Sequence, residues 1–205
     1  MKLHLIRHAE TVWHEENKYS GHTDIELTNL GHAQAKMLAA WAVELKPEAI
    51  YSSDLTRAID TAKPSALALG LQIMVDSRFR EVNFGRIEGL TPIEMDRQFH
   101  EVRQEFLARP ADTKMPDGES GRLALQRALP AVDEIFSDLK DTDVMLVSHG
   151  TLIRLLVCHL LGVDLNQYRR VLPSIPNIGR ITLSINSTDV SEPRNRSVGL
   201  VAFER

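Results

Sequence analysis

The chain has 205 residues, 43% of them hydrophobic and 25% charged, with a formal net charge of −4. That length supports a sizeable core without covalent staples, and the charge balance excludes a global basic field for nucleic acid or an anionic membrane. Cys158 is the only cysteine, which rules out an intramolecular disulfide, argues against a cysteine metal cluster and fits a reducing compartment.

Arg7 interrupts the N-terminal stretch before a signal-peptide apolar region forms. The most apolar run, from Val144 to Val163, carries His149, Arg154 and His159 and makes a poor membrane span. The expectation is a cytoplasmic chain with no membrane or nucleic-acid partner. No internal repeat or low-complexity tract interrupts it.

In chain order, Lys2 to Arg7 reads as a first strand. Thr28 is the expected N-cap of a helix to about Leu45, with Leu30, Met37, Leu38, Trp41 and Leu45 at helical spacing. Ala49 to Ser52 reads as a second strand. Ser53 or Asp54 is expected to cap a helix to about Leu69, bent near Pro64 and stopped by Gly70. Leu71 to Val75 reads as a third strand, Asp143 to Val147 as a buried strand, and Gly150 to Leu161 as a helix. Arg180 to Ile185 and Ser197 to Phe203 complete the strands. Alternating strands and helices predict an α/β, three-layer sandwich with a mostly parallel central sheet and helices on both faces. Residues 85–121 are polar, and Pro92, Pro110 and Pro116 break them into short helical pieces. They are expected to form a lid-like insertion in a single domain spanning 1–205.

Ligands of open α/β sheets bind beyond the carboxyl ends of the strands. Three such ends carry chemistry here: Arg7-His8, Ser52 to Arg57, and Ser148-His149. Two arginines and two histidines gathered at one sheet edge are costly without an anion. A phosphate suits guanidinium forks, and helix N-termini after these strands would add N–H donors. A neutral imidazole there can attack phosphorus without a strong base. Glu81, after the third strand and before the lid, is the candidate proton donor to the leaving oxygen.

Each residue also has a structural reading. His4, His32, His100 and His159 carry no motif and read as surface or packing histidines. Arg57 and Glu81 taken alone resemble solvated helix and surface residues, and Glu88, Glu94 and Glu119 are rival acids by composition. Cys158 and the stripe Leu152, Leu155, Leu156 and Leu160 read as core. Composition and spacing alone leave both readings open.

Six ordered blocks resemble the histidine phosphatase superfamily, in the branch that includes cofactor-dependent phosphoglycerate mutases. The blocks are Leu5-Ile6-Arg7-His8-Ala9-Glu10-Thr11, Asp24 with Leu27-Thr28 and Gly31, and Tyr51-Ser52-Ser53-Asp54-Leu55-Thr56-Arg57-Ala58. Arg80-Glu81 with Phe84-Gly85 and Glu88-Gly89, Asp117-Gly118-Glu119-Ser120, and Val147-Ser148-His149-Gly150 complete them. The resemblance implies His8 as the phosphorylated nucleophile. Arg7, Arg57 and His149 would bind the phosphoryl group beside Gly150, and Glu81 would donate the proton. It implies no metal and no cofactor.

His14, Lys18 and Ser20, near Gly21, depart from the family pattern of Asn, Arg and Gln. These four positions are expected at the substrate rim, His14 as a possible extra cation. The leading expectation is a phosphomonoesterase acting on a small-molecule phosphate ester. A phosphoglycerate mutase is the alternative, but only 67 residues separate Glu81 from His149, short for a mutase of this family. A regulatory module with a lost core residue is disfavoured because all five are present. The lid argues against a folded phosphoprotein as substrate. Oligomeric state is left open.

Overall fold

The computed structural model describes residues 1–139, 142–187 and 196–204, so the expected domain 1–205 includes residues outside this description. In chain order the elements are β1 (Lys2–Arg7), α1 (Val12–Glu15), α2 (Asn29–Leu45), β2 (Ala49–Ser52), α3 (Thr56–Leu69) and β3 (Ile73–Val75). They continue with α4 (Pro92–Gln98), α5 (His100–Ala108), α6 (Gly121–Asp138), β4 (Val144–Ser148), α7 (Gly150–Leu160), α8 (Tyr168–Val171), β5 (Arg180–Ser187) and β6 (Arg196–Glu204).

The sheet order is β3-β2-β4-β1-β5-β6. β3, β2, β4 and β1 run parallel, whereas β5 pairs antiparallel with β1 and with β6. The expected α/β sandwich is therefore present, with an antiparallel flank. The period of two along the strands assigns the faces. Leu3, Leu5, Val144 and Leu146 join a large core that includes Leu125, Val132, Leu152 and Leu156 from α6 and α7. Ile6, Ile50, Met145 and Val147 join a smaller core with Leu38 of α2 and Ala58 and Ala62 of α3. Strands covered on both faces need near-continuous apolar runs, and every residue of β4 is buried.

Local chemistry explains most boundaries. Thr28 caps α2 by accepting the Gly31 N–H, as expected. Gly70 ends α3 in the left-handed conformation. The cap of α3 differs from expectation: Leu55, not Ser53 or Asp54, is the N-cap residue. The Asp54 carboxylate is taken by Arg80, and Asp24 reaches in to accept the Thr56 N–H at 2.8 Å. β3 begins at Ile73 rather than Leu71, because the Leu71 N–H returns to the Ala66 carbonyl at the helix end. Pro64 lies inside α3.

Residues 85–121 do fold as short helices. Pro92 starts α4 rather than breaking a helix, since a first-turn proline loses no hydrogen bond. Ile87, Met95, Phe106 and Met115 of this region pack into the large core. α6, which follows it, was not expected from the sequence. Among the described residues no helix is long and apolar enough to cross a membrane.

Candidate active site

The parallel register aligns the ends of three strands. Arg7 pairs with Ser148, and Ser52 with Val147. The His8 N–H donates to the Ser148 carbonyl at 2.9 Å, and the Ser53 N–H to the Val147 carbonyl at 3.1 Å. Arg7, His8, Arg57 and His149 are thereby gathered at one sheet edge. Beside them opens a cavity of about 270 Å³ lined by Arg7, His8, His14, Lys18, Ser20, Glu81 and Gly150 among others.

His8 is buried, and its Nδ1 lies 2.7 Å from the Ala9 carbonyl. A carbonyl only accepts, so Nδ1 carries the proton and Nε2 is the unprotonated nitrogen. Burial, then the charges of Arg57 and Arg7, hold its pKa well below the usual histidine value. The ring centroid of His149 lies 5.1 Å away. His149 is also buried, and burial with Arg57 and His8 depresses its pKa strongly. Both imidazoles are therefore neutral near pH 7, and His149 can offer a phosphoryl oxygen an N–H but no charge.

The positive charge comes from the arginines. Arg57 is fully buried, and its two terminal nitrogens donate to the Gly21 and Thr23 carbonyls at 2.6 and 2.9 Å. Arg7 donates to the Ile175 carbonyl at 2.6 Å. Burial lowers the pKa of each to about 10, so both remain cationic at neutral pH. Four of the seven unpartnered buried polar atoms among the described residues fall here: Arg7 Nε, Arg57 Nε and both His149 nitrogens. Gly150 permits close packing, since a Cβ there would lie 3.3 Å from Arg7 Nε.

Glu81 is buried beside this cluster. Its Oε1 accepts the Val82 and Leu152 N–H groups at 2.9 and 3.0 Å, and its Oε2 accepts the Thr151 N–H at 2.9 Å. It thus occupies the N-terminus of α7. Asp24 holds the first turn of α3 in the same way. The helix amides named here are therefore taken by carboxylates, contrary to the expectation that helix termini would add donors for a phosphate.

His14 is not an extra cation. Its Nε2 lies 2.5 Å from the Arg7 guanidinium, and the Thr11 N–H points at its Nδ1 at 3.0 Å. Neither a guanidinium nor a backbone N–H can accept, so a donor at each ring nitrogen disfavours the doubly protonated imidazolium. Burial, then Arg7 and Arg57, lower its pKa to about 4. Lys18 pairs with Glu16 at 2.5 Å. Gly21 does not line the cavity but holds Arg57 through its carbonyl. The rival acids lie elsewhere: Glu88 holds the 22–23 loop, Glu94 caps α4, and Glu119 pairs with Arg127.

Sequence reasoning missed the far wall, formed by Arg154, Tyr168, Arg169 and the segment from Pro173 to Ile175. One signal was available. Arg154 is the lone charge in the otherwise apolar run of α7, and four residues after Gly150 it lies on the same helix face.

A protein of Hydrogenobacter thermophilus named "Putative phosphoserine phosphatase 2" is 33% identical over 167 residues, 80% of each chain. A protein of Escherichia coli named "Probable phosphoglycerate mutase GpmB" is 33% identical over 171 residues, 83% of this chain and 80% of that one. A solved mycobacterial glucosyl-3-phosphoglycerate phosphatase is 29% identical with a TM-score of 0.88, covering 99% of this chain and 98% of that chain. A profile of the histidine phosphatase superfamily, branch 1, matches residues 3–191, and the chain belongs to that family.

Proposed function

We propose that this chain is a single-domain, metal-independent phosphomonoesterase that hydrolyses a small phosphate ester through phosphohistidine at His8. The carrying observation is the state of His8. Its Nδ1 proton is held by Ala9, while Arg7, Arg57 and His149 keep unpartnered buried nitrogens around it.

In the first step His8 Nε2 forms a bond to phosphorus as the ester P–O bond breaks. Arg7, Arg57 and His149 donate to the phosphoryl oxygens, where charge is spread in the transition state. The departing oxygen takes a proton from Glu81. Oε2 accepts only one N–H and so retains a lone pair that can carry that proton. In the second step water attacks phosphorus, Glu81 takes its proton, and the P–N bond breaks to release phosphate and restore His8.

The short interval between Glu81 and His149 and the altered rim at His14, Lys18 and Ser20 favour transfer to water over the mutase reading. A mutase must shield phosphohistidine and retain a second phosphate. His14 and Gly150 set the position of Arg7, and Gly21 that of Arg57. The reading places the enzyme in the cytoplasm, in keeping with its single cysteine.

The test is phosphate release from a panel of monoesters without added metal, with trapping of an acid-labile, base-stable phosphoenzyme. His8→Ala should lose the label and at least a thousandfold in kcat. A fully active His8→Ala enzyme refutes the mechanism.

A further inference from the structure

Building on the phosphatase reading, we infer that Arg154 and Arg169 form a second anion subsite in the same cavity, selecting phosphate esters that carry another anionic group. The charge balance of the cavity motivates this. Its lining includes the cations Arg7, Lys18, Arg154 and Arg169 and one carboxylate, Glu81. Lys18 is neutralised by Glu16. Glu81 is engaged by three N–H groups. Neither Arg154 nor Arg169 has a carboxylate partner within 4 Å among the described residues. In a chain of net charge −4, this excess of positive charge is local to the cavity.

Both arginines are held against aromatic rings. The Arg154 guanidinium carbon lies 4.8 Å from the Tyr168 ring centroid, and that of Arg169 lies 5.2 Å from the Phe106 centroid. A guanidinium stacked on a ring turns its edge, with the in-plane N–H donors, away from that ring. Arg154 is fixed further by donating from Nε to the Gly150 carbonyl at 2.9 Å, from Nη1 to the Leu172 and Pro173 carbonyls at 3.4 and 3.2 Å, and from Nη2 to Thr151 Oγ1 at 3.4 Å, which leaves its remaining Nη2 N–H for a ligand. Arg169 is exposed and is the freer of the two.

The subsite adjoins the phosphate pocket. Arg7 donates to Ile175, two residues from an acceptor of Arg154, and packs against Gly150, whose carbonyl Arg154 also uses. The second anion therefore lies a few bonds from phosphorus. A phosphoryl dianion balances Arg7 and Arg57, and a further carboxylate or phosphate of the substrate balances Arg154 and Arg169.

The experiment compares kcat/KM within two matched pairs: 3-phosphoglycerate against glycerol 3-phosphate, and fructose 1,6-bisphosphate against fructose 6-phosphate. The first pair tests a carboxylate as the second anion, the other a phosphate. The doubly functionalised member of at least one pair should be preferred at least tenfold. Arg169→Gln, an exposed position where folding is not at stake, should reduce that ratio to within threefold of unity. Arg154→Lys, which keeps the charge but not the fork, should retain an intermediate ratio. No preference in either pair, or a preference that survives Arg169→Gln, overturns the subsite while leaving the phosphatase reading in place. Absence of release from every ester, p-nitrophenyl phosphate included, overturns both.

Discussion

Glu88→Ala should weaken phosphate binding although Glu88 does not line the cavity. One Glu88 oxygen accepts the N–H groups of His22 and Phe84, each at 3.0 Å, and the other accepts the N–H and hydroxyl of Thr23 at 2.8 and 2.5 Å. Gly21 and Thr23 pass this order on, because their carbonyls hold the Arg57 guanidinium. Gly21 lies so close that a Cβ would sit 2.1 Å from Glu88 Oε1. Alanine leaves three amide donors without their acceptor. At about 1 kcal/mol each, the low end for a half-buried site, the loss is about 3 kcal/mol. Part of it appears as lost stability and part as a displaced Arg57. An ångström of misplacement costs about a hundredfold in rate, so kcat/KM for p-nitrophenyl phosphate should fall by about 10- to 100-fold. The inhibition constant for inorganic phosphate should rise in parallel. Glu88→Gln keeps one acceptor oxygen and should fall between the two. A Glu88→Ala enzyme with a lowered Tm but kcat/KM and phosphate inhibition within twofold of the parent would refute the positioning role.

Three further outcomes follow from the same geometry. Glu81→Gln should slow alkyl phosphates at least tenfold more than p-nitrophenyl phosphate, whose leaving group hardly needs a proton; equal slowing of both would point to structural damage instead. Activity should survive extensive chelation by EDTA, because Arg7 and Arg57 supply the charge that a metal would bring; loss reversed only by added magnesium or zinc would contradict this. Stability should fall as pH drops from about 6.5 towards 4, since His4 and His14 have folded pKa values near 4 against 6.5 unfolded. Burial is the first cause for both, so the unfolded chain takes up the protons and the folded state loses ground. His4→Gln should flatten the decline of Tm across that window, and an unchanged slope would sink the assignment.

The parallel half of the fold was legible because its strands are buried on both faces. Val144 to Val147 is an unbroken apolar run, and the caps at Thr28 and Gly70 are local signals that tertiary contacts did not override. Where the reading missed, a distant residue had intervened. Asp54 looked like an N-cap, but Arg80 claims its carboxylate and Asp24 supplies the cap from 32 residues away. α6 escaped because the polar segment before it obscured its start at Ser120, although its apolar residues recur at helical spacing.

The site divides in the same way. Arg7, His8 and His149 directly follow strands whose neighbours could be reasoned out, so their meeting was legible in advance. The far wall was not, because Tyr168 to Ile175 returns to the cavity through tertiary contacts, the packing of α8 against α7 and the hold of Arg154 and Arg7 on the Pro173 and Ile175 carbonyls. The helix termini carry the sharper lesson. Strand-to-helix turns point amide donors at an anion, and the anion expected was phosphate. Here Glu81 takes the terminus of α7 and Asp24 that of α3. This placement has a chemical consequence. The amides hold Glu81 beside the neutral pair His8 and His149, where its oxygen is fixed for proton transfer. Phosphate recognition then passes to Arg7 and Arg57, which stay cationic at neutral pH, where the buried imidazole nucleophile is unprotonated.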